Sequence, residues 1–290
     1  MNKFIMQISW IDAKVAPGTL TSIQNALQYS TEPTEIVLLL NEQTFVDKPL
    51  EGEPSDMWRY IMDHPIIPKC KLDKVTNNDK FWGNANFRRE YITNEGVTYW
   101  GEADCYLPIE FFYLTEEFHK KCEHKEYVLS FAGRKMWGDW NIIEHPLVQN
   151  VGLGDLSKDK PEEAFLRCDT TLTLEQLYDF NSKQGDPEII QLPKPRVEGA
   201  MTTLTSGMKN LISPDIDFFH EDCCLEWAMP RYGIPQFHVK NILKGHNMVH
   251  PDKRANIFNQ TQRDDNNLAV QKKQECMANV QKFLQQLYGK

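Results

Sequence analysis

The stretch FIMQISWIDAKVAPGTLTSIQNALQYSTEPTEIVLLL, residues 4–40, decides the fold class. Phe4 to Trp10 is a short apolar run with alternation, which predicts a strand. Pro17 and Gly18 then open a segment in which Leu20, Ile23 and Leu27 recur at helical spacing. Glu35 to Leu40 (EIVLLL) is a continuous apolar run of strand length, as expected of a strand buried on both faces. Strand, helix and strand in this order make one right-handed crossover unit, and so predict a parallel α/β sheet.

Outward from this unit the alternation continues. Cys70 to Val75 reads as a third strand, Asp79 to Ile92 as a helix and Val97 to Trp100 as a short strand. Ile109 to Cys122 is helical, Tyr127 to Phe131 a strand, and Leu174 to Phe180 a helix. A further helix runs from Phe218-Phe219-His220-Glu221-Asp222 to Met229, and Ile234 to Leu243 alternates as a strand should. Pro49 to Pro68 is a proline-rich connection with an apolar cluster at Met57, Trp58, Tyr60 and Ile61. Residues 1–250 are expected to form the main domain, with 133–198 an insertion on the acceptor side. Residues 251–290 form a polar tail in which Met277, Val280, Leu284 and Leu287 make one helical stripe. The stripe is too short for several heptads, so it predicts a terminal helix docked on the domain.

Composition narrows the function classes. The 290 residues are 41% hydrophobic, 25% charged and 11% aromatic, which is ordinary globular usage and argues against bulk disorder. The net charge of -9 argues against binding to nucleic acid through the global field, and only Lys194-Pro195-Arg196 and Lys253-Arg254 form short basic clusters. No apolar run approaches the ~20 residues of a membrane span. The seven cysteines are odd in number and form no C-x-x-C pair, so free thiols in a reducing cytoplasm are expected.

Three places carry chemistry. Glu102-Ala103-Asp104 is expected just past the end of a strand, where ligands of open α/β sheets bind. Two carboxylates there offer hard oxygens to Mg²⁺ or Mn²⁺, or make only a solvated acidic turn. Glu221-Asp222 opens a helix, where a carboxylate is either a cap or a general base at a pocket rim. His246 follows a strand in Leu243-Lys244-Gly245-His246, with His250 competing for any ligand role. Trp137 and Trp140, in a Gly/Asp-containing stretch, suit a pocket mouth where they would stack on an acceptor, and Trp227 is a further candidate; each also suits a core.

The order of these features resembles the nucleotide-sugar glycosyltransferases of the GT-A fold, family 2 in particular. The motif GVTYWGEADCYLP (residues 96–108) is similar to the strand, D-x-D and leucine-proline step of that family. GAMTTLTSGMKNLISPDIDFFHEDCCLEWAM (residues 199–229) matches its Gly-rich stretch leading to an acid pair, and LKGH its late histidine. The resemblance implies a three-layer sandwich around a mostly parallel sheet, with a single Rossmann-like nucleotide-binding core. It implies that Asp104 is the principal metal ligand, with Glu102 on metal or donor ribose and His246 completing the shell. Asp222 would be the base of an inverting reaction, with Glu221 beside it. GNANFRR (residues 83–89) matches the helix that approaches the donor, with Arg88 and Arg89 as phosphate contacts. Where the family has uridine-contacting aspartates, this chain has Leu39 to Thr44, with Asn41 in the donor-side place; Glu102 also replaces the commoner Asp.

The implied reaction moves a sugar from a nucleoside-diphosphate donor, a UDP-sugar by default, to an acceptor hydroxyl. A saccharide or lipid-linked sugar is the default acceptor, and a protein side chain or a hydroxymethylated base of viral DNA are alternatives. A non-catalytic α/β module that binds nucleotide or sugar is the competing class. A nucleotidyltransferase would carry a Gly-rich basic loop after the first strand, and Val15-Ala16-Pro17-Gly18 is not one.

Overall fold

The protein is seen here as a computed structural model describing residues 1–9, 12–41, 58–75, 84–132, 173–217, 220–246 and 266–289. The opening crossover is β1 (Asn2–Ser9), α1 (Ala16–Leu27) and β2 (Thr34–Asn41). There follow β3 (Cys70–Val75), α2 (Asn84–Glu90), β4 (Val97–Glu102) and β5 (Cys105–Tyr106). Next come α3 (Phe111–Lys121), β6 (Val128–Ala132), α4 (Leu174–Ser182), β7 (Glu188–Gln191) and β8 (Thr202–Thr205). The chain ends with α5 (Glu221–Ala228), β9 (Gln236–Leu243), β10 (Gly245–His246) and α6 (Asn266–Tyr288).

The main sheet has the order β3-β2-β1-β4-β8-β6-β9-β7. β3, β2, β1 and β4 are parallel, as are β6 and β9, while β8 and β7 run against their neighbours. The sheet is therefore mixed but mostly parallel. Alternation along the strands sorts side chains to two faces. Phe4, Met6, Ile36, Leu38 and Leu40 join one core with Leu20 and Ile23 of α1 and Phe111 and Phe112 of α3. Ile5, Val37 and Leu39 join the other, with Phe87 of α2, Leu225 of α5, and Cys276, Val280 and Leu284 of α6. Helices on both faces of one sheet make three layers. β2 is buried on both faces, as EIVLLL requires, and truncating Leu38 to Ala would cost about 2–5 kcal/mol.

Two details depart from the sequence expectations. Glu102 is the last residue of β4 rather than part of the turn beyond it. The described part of the expected insertion, from residue 173, holds α4 and β7, and β7 pairs with β9 at the edge of the main sheet. The Thr173 and Gln176 side chains close a capping box at the start of α4. The tail helix α6 lies against α5 and is tied to the loop before it: Asn279 Nδ2 donates to the Asp215 carbonyl at 2.8 Å and Lys272 pairs with Asp217 at 3.4 Å.

Candidate active site

The acid turn at the carboxyl end of β4 is held by the start of α1. Thr19 Oγ1 donates to the Ala103 carbonyl at 2.7 Å, and the Leu107 N–H donates to Ser22 Oγ at 2.9 Å. Gly18 permits the approach, since a Cβ there would lie 2.7 Å from the Tyr106 hydroxyl. α1 thus has two working stripes. Leu20 and Ile23 enter the core, while Gly18, Thr19 and Ser22 grip the turn. Asp104 is 3% exposed. β10 pairs antiparallel with β5, which sets His246 opposite Cys105 in the backbone register, one residue from Asp104.

The second acid motif meets the first through Arg88. This residue of α2 is 3% exposed. Its Nη1 donates to Glu221 Oε1 at 2.5 Å and its Nη2 to Glu102 Oε1 at 3.3 Å, with the guanidinium carbon 5.1 Å from the centre of the Trp100 ring. Burial opposes the charge on Arg88, but Glu221, Glu102 and Asp222 outweigh it and hold the guanidinium more basic than usual. Burial pushes the Glu221 carboxyl up, against the pull of Arg88 and with a further push from Asp222. Gly199 closes over this junction: a Cβ there would sit 2.5 Å from Arg88 Nη1 and 2.7 Å from Glu102 Oε1.

α5 opens on His220, which is left-handed at φ 76° and ψ 20°. The cap position is therefore held by His220 rather than by an acid. Glu221 is buried beneath Arg88, whereas Asp222 is half-exposed and its Oδ1 accepts from the Cys223 N–H at 2.8 Å. His220, Asp222 and Cys223 offer ligating atoms within 4.8 Å of one another. Without a metal, burial and Asp222 push the Cys223 thiol up to about 12.

A second buried cation stands behind the acid turn. Lys244 Nζ pairs with Glu198 at 2.5 Å and donates to the Ala200 carbonyl at 2.9 Å. This ties the segment bearing Gly199 to the end of β9. Nearby, Gln236 Nε2 donates to Ser130 Oγ at 2.9 Å, and Ser130 Oγ lies 2.8 Å from His238 Nδ1. Ser130 Oγ can also donate to the Phe237 carbonyl at 3.4 Å. Burial pushes His238 down to about 4, so it is neutral at pH 7.

The structure thus brings Glu102, Asp104, Arg88, Glu221 and Asp222 to one end of the sheet. Arg88, expected at phosphate, spends its guanidinium on the two glutamates. Arg89 points elsewhere, its Nε donating to the Ile212 carbonyl at 3.2 Å and its Nη1 pairing with Glu90. Asn41 ends β2 and is buried. Trp227 is exposed near the far end of α5, and its carbonyl accepts from the Tyr288 hydroxyl. Trp137, Trp140, His250 and the Phe218-Phe219 run lie outside the described residues, as does the side chain of His246. Sequence reasoning missed Glu198, Gly199 and Lys244, although Gly199 opens the matched stretch and Lys244 stands within LKGH. The threonine and serine three apart, both buried beside the apolar stripe of α1, were the available sign of a helix gripping something polar.

No family model matches the chain, and no curated protein matches it. Solved structures do. Glucosyl-3-phosphoglycerate synthase from Mycobacterium tuberculosis, in complex with Mn²⁺, UDP and phosphoglyceric acid, superposes on 98% of this chain. The match takes in 78% of that protein, with a TM-score of 0.50 at 11% identity. The chain has the GT-A fold. TarS residues 1–349 from S. aureus, in complex with UDP-GlcNAc, align more loosely: 46% of this chain and 34% of theirs, a TM-score of 0.31 and 15% identity. In this GT-A chain the two acid motifs face each other across Arg88. Among the described residues no helix is long and apolar enough to cross a membrane.

Proposed function

We propose that the protein is a metal-dependent glycosyltransferase that moves a sugar from a nucleoside-diphosphate donor to an acceptor hydroxyl with inversion. The observation that carries this reading is the junction at Arg88, where a strand-end acid turn and a helix-start acid pair share one guanidinium. Two carboxylates at the carboxyl end of β4 are hard oxygen donors, and that set fits Mn²⁺ or Mg²⁺. Asp104 would hold the ion, with Glu102 beside it and His246 brought close by the β5–β10 register. Such an ion, when bound, neutralises the leaving diphosphate as a Lewis acid. The M. tuberculosis neighbour, crystallised with Mn²⁺ and UDP, supports that choice of partners.

The chain's own residues have distinct tasks. Arg88 holds Glu102 and Glu221 in fixed places and balances their charge. Asp222, the more open acid, takes the acceptor hydroxyl's proton as the new bond forms on the face opposite the leaving group. Gly199 lets its segment lie flat on the Arg88–Glu102 contact, and Lys244 fixes that segment through Glu198. The acceptor is read as a saccharide or lipid-linked sugar. The testing experiment is donor hydrolysis across a panel of nucleotide sugars with Mn²⁺ and with Mg²⁺, run beside Asp104→Ala. Metal-dependent release of nucleoside diphosphate that disappears in the variant is expected. Hydrolysis that persists in Asp104→Ala, or none with any donor and metal, would sink the reading.

A further inference from the structure

His220 and Cys223 bracket Asp222 in sequence at the start of α5, and the proposed reaction uses neither of them. The three side chains offer ligating atoms within 4.8 Å of one another. All three are half-buried, so an ion can reach them from solvent. His220 Nδ1 lies 3.7 Å from Cys223 Sγ. An ion about 2.3 Å from sulfur and about 2.1 Å from nitrogen, at a tetrahedral angle, sets two such atoms about 3.6 Å apart.

This donor set differs in kind from the acid turn. Glu102 and Asp104 present hard oxygens, which suit Mn²⁺ or Mg²⁺. An imidazole nitrogen and a thiolate sulfur with one carboxylate suit Zn²⁺ and its substitute Co²⁺, and three protein ligands leave a fourth position to water. Asp222 Oδ1 accepts from the Cys223 N–H, and the carboxylate has a second oxygen to offer an ion. The His220 ring also hydrogen-bonds the Lys273 backbone on α6. Outer bonds of this kind orient a ligating imidazole. The Cys223 thiol proton passes to solvent as the sulfur–metal bond forms.

We propose that His220, Asp222 and Cys223 form a zinc site separate from the turn at Asp104, and that zinc bound there inhibits transfer by occupying the Asp222 carboxylate. The inhibition rests on the glycosyltransferase reading; the site itself does not. A carboxylate that coordinates zinc has its basicity drained by the ion and no longer takes the proton of an acceptor hydroxyl. His220 and Cys223 thus make the base available or withdraw it, according to whether zinc is bound.

The test uses the full chain, reduced and stripped of metal, titrated with Co²⁺ and then with Zn²⁺. The native protein should show the near-ultraviolet thiolate-to-cobalt absorption, which Zn²⁺ then displaces. Cys223→Ala should lack the absorption and Asp104→Ala should keep it. His220→Gln should weaken zinc binding by at least the roughly 10–100-fold that loss of an outer-shell partner costs. In donor turnover at saturating Mn²⁺, added Zn²⁺ should inhibit the native protein. Cys223→Ala, checked for an unchanged melting temperature, should turn over like the parent and resist zinc. No cobalt absorption in the native protein, or absorption that survives Cys223→Ala, overturns the site. Zinc bound without inhibition, or inhibition equal in Cys223→Ala, overturns the inhibitory role alone. No turnover with any donor overturns the glycosyltransferase reading and the inhibitory role with it, while the cobalt absorption still decides the site.

Discussion

The two acid motifs share a cation but are built differently. Glu102-Ala103-Asp104 lies in a turn clamped by α1, and Asp104 is almost wholly buried. Glu221-Asp222 starts a helix whose first residue follows a left-handed histidine, and there only Glu221 is buried. The glutamate of each motif is taken by Arg88, and the aspartate of each stands to one side. A clamped, buried carboxylate suits a ligand that must not move, such as a bound ion. A half-exposed carboxylate on a helix start suits a partner that arrives and leaves. The difference fits the holding role proposed for one aspartate and the proton-accepting role proposed for the other.

Asp104→Ala should break the holding role. Transfer should fall below detection, with most Mn²⁺-dependent nucleotide affinity lost; unchanged affinity by calorimetry would count against it. Asp222→Asn should leave nucleotide affinity and melting temperature near normal while turnover drops roughly 10²–10⁴-fold, the usual worth of a positioned base. Near-normal turnover in that variant would move the base to Glu221 or point to retention. A merely structural role for Asp222, accepting from the Cys223 N–H in the first turn, would show as ~1 kcal/mol of stability at most, because Asn keeps an acceptor there.

The shared cation gives a third measurement. Arg88→Met leaves Glu221 buried without its partner, and removing one member of a buried pair costs about 3–5 kcal/mol. Both motifs should loosen together, seen as a large fall in denaturation midpoint with loss of activity. A variant that melts like the parent would mean that the motifs are held independently. The smallest effect concerns acid pH. His238 is depressed to about 4 in the fold. As pH falls below the unfolded value of ~6.5, the unfolded chain takes a proton that the folded chain refuses, so stability declines until about pH 4. At ~1.4 kcal/mol per pKa unit the loss approaches ~3 kcal/mol. His238→Gln should flatten that part of the stability profile, and if it does not, another group governs acid unfolding. Rate profiles for Asp222 need this background removed before they report a base.

Much of the fold was legible because its first half is local. Phe4–Leu40 carried strand, helix and strand in periodicity alone, and β3 coincides with the expected Cys70–Val75. The acid turn was legible because its chemistry is compressed into three residues. Arg88 was not, because its partners lie 14 and 133 positions away and packing alone chooses between phosphate and carboxylate. β5 and β10, two residues each, are too short for any period to register. Gly199 reads as one glycine among fifteen until the atoms over it are known. The expected roles of Trp137, Trp140 and His250 fall on residues outside those described.

The grip of α1 on the acid turn has a consequence for motion. The Leu107 amide hydrogen ends on a side chain of α1, and the Ala103 carbonyl is bonded by another. Neither bond can open while Ser22 and Thr19 stay in place, and both belong to a helix whose other side is anchored in the core by Leu20 and Ile23. The turn therefore has no private breathing mode. Its exchange with solvent deuterium is slaved to the lifting of a whole helix, and it belongs to the slowest-opening unit that α1 belongs to.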